Sequence, residues 1–165
     1  MKNLSLLLAG PRYIKNLGFC LRTSELANVT PVYIYDEYLL LSESQRPQLI
    51  RISARAIRNH DVREITDVFK FLKENTEGYR RIAAVVDSDA QLLYNFEYGP
   101  NDLLVFGDEH EGLDDDLVSL CDEHVTVPQY NKKHKGSSRI QCYTLVSALD
   151  MFVYEFMKQR HFEGC

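Results

Sequence analysis

The sequence predicts an α/β domain: a parallel sheet covered by helices on both faces. Three observations carry that expectation. Short apolar runs recur along the chain at 4–9, 31–35, 81–86, 103–106 and 124–127, and near-continuous apolar strands belong to sheets buried on both sides. Segments of helical period alternate with these runs, the pattern of strand–helix–strand units. The 165 residues suffice for one domain with a substantial core, so residues 1–165 read as a single unit.

Taken in order, Leu4 to Ala9 forms the first strand and Gly10-Pro11 turns the chain. Leu17 to Asn28 follows as a helix with Leu17, Cys20, Leu21 and Ala27 on one side, and Asn16 stands where a cap belongs. Pro31 to Tyr35 is the second strand. Ser42 to Arg58 is irregular and then helical, with Arg51, Arg55 and Arg58 on one stripe. Asp61 can cap a helix to about Asn75, because Val62, Ile65, Phe69 and Leu72 share helical spacing. Three further strands are Arg81 to Val86, Leu103 to Phe106 and His124 to Val127. Cys142 to Arg160 is the clearest helix: Leu145, Ala148, Leu149, Phe152, Val153, Phe156 and Met157 repeat at its period, and Met151 and Tyr154 widen the apolar face. A face that wide is expected to cover the sheet and also a partner.

The composition is that of an ordinary soluble globular protein. No run approaches the ~18 apolar residues of a membrane span, and the apolar part of the N-terminus is shorter than a signal peptide requires. The four cysteines, Cys20, Cys121, Cys142 and Cys165, have no metal-ligand spacing, so no metal is expected; they read as reduced thiols of a cytoplasmic protein. Net charge is −5, yet the twelve acids between Ile82 and Tyr130 stand without a lysine or arginine. Elsewhere 19 basic residues face 12 acidic ones. The densest basic segment is Lys132 to Arg139, with Lys132, Lys133, Lys135 and Arg139, which makes it the first candidate for contacts with nucleic-acid phosphates.

Candidate chemistry gathers at Asn101–Leu113. An apolar strand ends at Gly107, an acidic turn follows, and Gly112 closes it. Ligands of α/β proteins bind at such strand ends. Two other segments stand in order with this one: Pro11–Glu25, holding the Asn16-Leu17-Gly18 and Arg22 spacing, and Cys142–Glu155 after Val127-Pro128. Together the three resemble the motifs of the SpoU-type (TrmH-like) branch of the SPOUT RNA methyltransferases, over essentially the whole chain and without an added RNA-binding domain.

The resemblance implies a C-terminal trefoil knot, S-adenosylmethionine as cofactor, tRNA or rRNA as partner, and a homodimer built through the first and last helices. It implies methyl transfer to a ribose 2′-hydroxyl, with Arg22 drawing off or stabilising the hydroxyl proton and Asn16 and Glu109 beside it. A free guanidinium is far too weak a base in water, so Arg22 acts either with a perturbed pKa or by electrostatic stabilisation of the alkoxide. The cofactor is expected against Gly107, Gly112, Val127, Cys142 and Thr144, with Asp87 toward its ribose. Where the family's third motif begins serine–x–asparagine, this chain has Cys142-Tyr143-Thr144. That departure motivates a second reading, an RNA-binding SPOUT domain without turnover. A flavodoxin- or receiver-like small-ligand domain ranks last, because Asp36, Asp87 and Asp114–Asp116 lack the spacing such a site needs.

Overall fold

The computed structural model of the protein describes residues 3–129 and 142–161. The strands are β1 (Asn3–Ala9), β2 (Val32–Tyr35), β3 (Val62–Ile65), β4 (Arg80–Ala84), β5 (Gln91–Leu92), β6 (Asn101–Phe106) and β7 (Glu123–Thr126). They form one sheet in the order β3-β2-β1-β6-β4-β7-β5, and every neighbouring pair is parallel. The helices are α1 (Ile14–Leu26), α2 (Arg46–Ile52), α3 (Ala56–Asn59), α4 (Val68–Glu74), α5 (Asp115–Ser119) and α6 (Leu145–Gln159).

Side-chain alternation along β1 divides the core into two layers. Leu4, Leu6 and Leu8 pack with Leu17, Leu21, Leu49, Leu149 and Phe152, beneath α1, α2 and α6. Leu7 faces the other way, toward Val68, Phe71, Leu72 and Leu117 of α4 and α5. Both sheet faces are therefore covered, as the apolar strands require. Parallel pairing of β1 with β6, Leu6 opposite Leu104 and Leu8 opposite Phe106, has a consequence for function. The turn after β1 and the loop after β6 leave the sheet side by side.

Several elements differ from the sequence-based expectation. The helix expected from Asp61 is an edge strand followed by a short helix. Val62 and Ile65 pair with Val32 and Tyr35 of β2 and pack on opposite faces of the sheet, because pairing with a neighbouring strand overrides their helical spacing. The capping carboxylate belongs to Asp67, which accepts from the Lys70 amide at 2.9 Å, while Asp61 pairs with Arg63 at 2.7 Å. Helix α1 begins at Ile14, with Tyr13 at the cap position and no side-chain cap bond; Asn16 thus sits inside the first turn and is not the cap. The helical reading through Arg58 is broken into α2 and α3 by Ala54 and Arg55, whose φ angles are 50° and 74°. Left-handed backbone costs about 1–2 kcal/mol for a residue with a Cβ, so sequence propensity gives no hint of this break.

Helix α6 buries Leu145, Leu149, Phe152, Val153 and Phe156. Val146, Ala148, Met151 and Met157 also pack partly on the core. Its spare apolar surface is smaller than the sequence pattern suggests, and more is found on α1, where Phe19 and Leu26 are exposed. The Tyr98 hydroxyl donates to the Phe152 carbonyl at 2.9 Å and fastens α6 to the chain entering β6. The path from β7 to α6, on which a knot depends, lies in residues 130–141, outside the described residues.

Candidate active site

The ends of β4, β6 and β7 and the start of α6 enclose a cavity of about 580 Å³, within the ordinary range for small-ligand sites. Backbone and side chains of Ala84–Asp87, Phe106–Leu113 and Thr126–Val127 line it, and Cys142, Leu145 and Phe152 close the far side. Phe106 and Phe152 meet edge to face at 5.4 Å between centroids and form its apolar floor.

The loop after β6 is the most tightly built part of the site. Asp108 and Gly112 exchange two backbone hydrogen bonds, at 3.2 and 3.1 Å. A Cβ on Gly107 would collide with the Gly112 carbonyl. Gly107 therefore permits the loop to close on itself, besides lining the cavity. Inside the loop, the Asp108 carboxylate accepts from the amides of His110 at 2.6 Å and Glu111 at 2.9 Å. Arg12 stands against the same carboxylate: Nη2 donates to Oδ2 at 3.3 Å, while Nε lies 3.2 Å from Oδ1 without hydrogen-bond alignment. Partial burial pushes the Asp108 pKa up, but the Glu111 amide, Arg12 and the His110 amide outweigh it, and the net shift is downward.

Glu109 ties this loop to α1. Its Oε2 accepts from the Arg12 amide at 2.8 Å, and its Oε1 accepts from the Asn16 amide group at 2.8 Å and the Tyr13 amide at 3.4 Å. A carboxylate at the first turn of a helix satisfies donors that have no intrahelical partner. Here that carboxylate comes from 93 to 97 residues away in sequence. Next to it, the Tyr13 hydroxyl and His110 Nε2 share a hydrogen bond of 2.6 Å.

Of the sequence-predicted cofactor residues, Asp87, Gly107, Gly112, Val127 and Cys142 line the cavity. Thr144 does not: it caps α6, accepting from the Ser147 amide at 3.2 Å and donating to the Ser147 hydroxyl at 2.9 Å. Asn16 and Glu109 are brought together, whereas Arg22 is exposed on α1 and is not part of its own cavity's lining. Lys132, Lys133, Lys135 and Arg139 lie outside the described residues. Arg12, Tyr13 and Asp108 were missed, because their partners are distant in sequence and no local spacing marks them. Cys20 is fully buried, and burial pushes its thiol pKa well up, so it is no nucleophile. Burial likewise pushes Cys121 up to about 11. Among the described residues no three His, Cys, Asp or Glu side chains converge as a metal ion would need, and no helix is long and apolar enough to cross a membrane.

The donor set suits S-adenosylmethionine. The cofactor carries a sulfonium and an ammonium against one carboxylate, a net positive charge. Asp87, Asp108, Glu109, Glu111 and Asp115 line the cavity, and among the described residues no Lys or Arg does. Phe106, Val127, Leu145 and Phe152 offer apolar surface for an adenine ring.

Solved structures share this architecture. One, described as giving structural insights into the 2-OH methylation of C/U34 on tRNA, superposes with a TM-score of 0.80 at 23% identity, covering 98% of this chain and 99% of the other. The TrmH/SpoU tRNA-modifying enzyme of A. aeolicus gives 0.80 at 19% identity, with 99% and 78% coverage. The SpoU methyltransferase AviRb of Streptomyces viridochromogenes, in complex with the cofactor AdoMet, gives 0.77 at 19% identity; it is matched over 99% of this chain and only 60% of its own. A putative TrmH-family RNA methyltransferase from Porphyromonas gingivalis is likewise spanned over only 59% of its length. At these identities the likeness is one of fold. No protein of curated function matches the chain in sequence. The family profile does: residues 3–135 match the SpoU rRNA methylase family, and the chain belongs to that family.

Proposed function

We propose that the protein transfers the methyl group of S-adenosylmethionine to a ribose 2′-hydroxyl of tRNA or rRNA. The observation that carries this reading is the Glu109 carboxylate, which locks the loop walling the cavity onto the first turn of α1, the helix of the asparagine–glycine–arginine motif. The bound cofactor would supply an electrophilic methyl. The chain's own residues then have two tasks: to hold cofactor and ribose in line, and to handle the hydroxyl proton. The first falls to the 107–113 loop, Val127 and the apolar floor. The second falls to Arg22.

Arg22 shares the outer stripe of α1 with Phe19 and Leu26, both exposed and apolar. Pairing of two copies through α1 and α6 would cover that stripe and carry Arg22 toward the partner's cavity. A homodimer is thus part of the proposal, as is a trefoil knot formed by the chain after β7. The Lys132–Arg139 segment, which lies outside the described residues, would add sequence-blind phosphate contacts.

Arg22→Ala is expected to lower methyl transfer by about 10²-fold or more while calorimetric S-adenosylmethionine affinity stays within a few-fold. Turnover is read by nucleoside mass spectrometry of RNA from cells lacking the gene, incubated with the purified protein. Near-normal turnover in the variant would remove Arg22 from the chemistry. Absence of any methylated nucleoside with the wild-type protein, despite cofactor binding, would favour the RNA-binding domain without turnover.

A further inference from the structure

Apart from Arg160, which lies over the Phe156 ring, the described arginines fall into two populations. Arg12, Arg63, Arg80 and Arg81 each pair with a carboxylate. Arg22, Arg46, Arg51, Arg55 and Arg58 are exposed and make no ion pair with any described residue. The second group shares one sector, α1 to α3. From Ser44 to His60 the chain holds four arginines and no acid. Two acids flank it directly: Glu43, exposed and in no ion pair with a described residue, and Asp61, which is committed to Arg63 at 2.7 Å. In a chain of net charge −5, a stretch of arginines without counter-charges is not an ordinary salt-bridged surface.

The sector adjoins the proposed chemistry. A Cβ on Gly18 would collide with Ile52, so α1 and α2 are in close contact there. Lys15 and Arg22 lie three residues before and four after Gly18, on the flank of α1 that borders α2. Both are exposed. Arg51 neighbours Ile52, and the left-handed residues Ala54 and Arg55 turn the chain so that Arg51, Arg55 and Arg58 all stay in solvent across the helix break. Guanidinium groups suit phosphate because their planar donors engage two oxygens at once. Here no ion pair with another described residue has to be broken first.

We propose that the α2–α3 surface, through Arg46, Arg51, Arg55 and Arg58, is a docking surface for the RNA backbone, leading along α1 toward the site. This rests on the reading of the protein as an RNA methyltransferase and assigns that reading a substrate-binding face that neither the family motifs nor the cavity define.

The test is a triple variant, R51Q/R55N/R58Q; asparagine is chosen at 55 because it tolerates left-handed backbone. Binding of a fluorescein-labelled unmodified tRNA transcript is followed by anisotropy between about 50 and 200 mM salt. The wild-type log–log slope is expected to shrink by about two to three in the variant, because each lost phosphate contact removes about 0.9. Methylation of RNA from cells lacking the gene should show a raised KM and a kcat within about twofold. S-adenosylmethionine affinity and melting temperature should not change. The charge-keeping variant R51K/R55K/R58K should retain the slope.

Unchanged affinity and slope in the neutral variant would overturn the proposal. So would equal losses in the neutral and lysine variants, since that pattern means a structural role. The two readings fail separately. A wild-type protein that binds RNA through these arginines but transfers no methyl sinks the enzyme and leaves the surface. A neutral variant that methylates with unaltered KM and salt slope sinks the surface and leaves the enzyme.

Discussion

On its β6 side the cavity wall is cross-linked. Asp108 and Gly112 exchange two backbone bonds, the Asp108 carboxylate holds two amides and Arg12, and Glu109 holds two more amides and Asn16. On its α6 side, counting only bonds among the described residues, the wall is sparse. Cys142 and Tyr143 are exposed, the Tyr143 hydroxyl reaches the Pro128 carbonyl only at 3.4 Å, and Thr144 bonds within its own helix turn. The difference explains where this chain can depart from its family. A substitution in the first wall strands several buried or half-buried donors at once, and stranded donors are costly. A substitution at Cys142–Thr144 disturbs little, so the serine–x–asparagine pattern could be lost there without loss of the fold.

The harshest way to break this comparison is Gly107→Ala. The added methyl meets the Gly112 backbone rather than a movable side chain, so the loop has to open. Overpacking of this kind costs typically about 1–3 kcal/mol. We expect calorimetric binding of S-adenosylmethionine to be lost and the melting temperature to fall. Near-wild-type affinity in a folded variant would show that the closed loop is not what forms the site.

A milder probe compares one carboxylate with one hydroxyl. Glu109→Ala leaves the Arg12 and Tyr13 amides and the Asn16 side chain without their acceptor, and hydrogen bonds to charged groups contribute about 1.5–3 kcal/mol. Urea unfolding should register a loss in that range. Thr144→Ala removes only a helix cap and should cost about 1 kcal/mol. Equal losses at the two positions would erase the distinction between the walls. Thr144→Asn sharpens it, because asparagine also caps helices well. Stability should hold while an amide returns to the third motif, and a rise in turnover would identify the present threonine as a partial loss of function.

Much of this organisation is legible in the sequence, for physical reasons that differ by element. The strands at β1 and β6 announce themselves because burial on both faces leaves no polar alternation to misread. Gly107 and Gly112 are legible because a loop that closes on itself needs glycines. The Arg12–Asp108 pair and the Tyr13–His110 bond are not, since their partners meet only through the parallel pairing of β1 with β6. The break between α2 and α3 is hidden for another reason: alanine and arginine occupy a left-handed turn that sequence assigns to glycine. The motif position of Thr144 points to the cofactor, while the hydroxyl's bonds to Ser147 as helix cap are not marked by that position.

The smallest expected effect is electrostatic and confined to the cross-linked wall. Asp108 has a folded-state pKa below its ordinary value. A carboxylate depressed in this way contributes stability above its unfolded pKa of about 3.9, and the contribution fades as pH falls through the lower folded value. Asp108→Asn keeps an oxygen for the His110 and Glu111 amides but drops the charge that Arg12 meets. The wild type should therefore be more stable than the variant at neutral pH, by under about 1 kcal/mol because solvent screens the pair. The gap should narrow only below about pH 4 and vanish once the native carboxyl is protonated. Asp61 and Asp122, both also depressed by arginine partners, titrate in the same region, so only the difference between wild type and variant isolates Asp108. A gap that stays constant through the acid range would mean that the turn is held by the geometry of its amide bonds alone, and that the Arg12 charge contributes nothing to closing the loop.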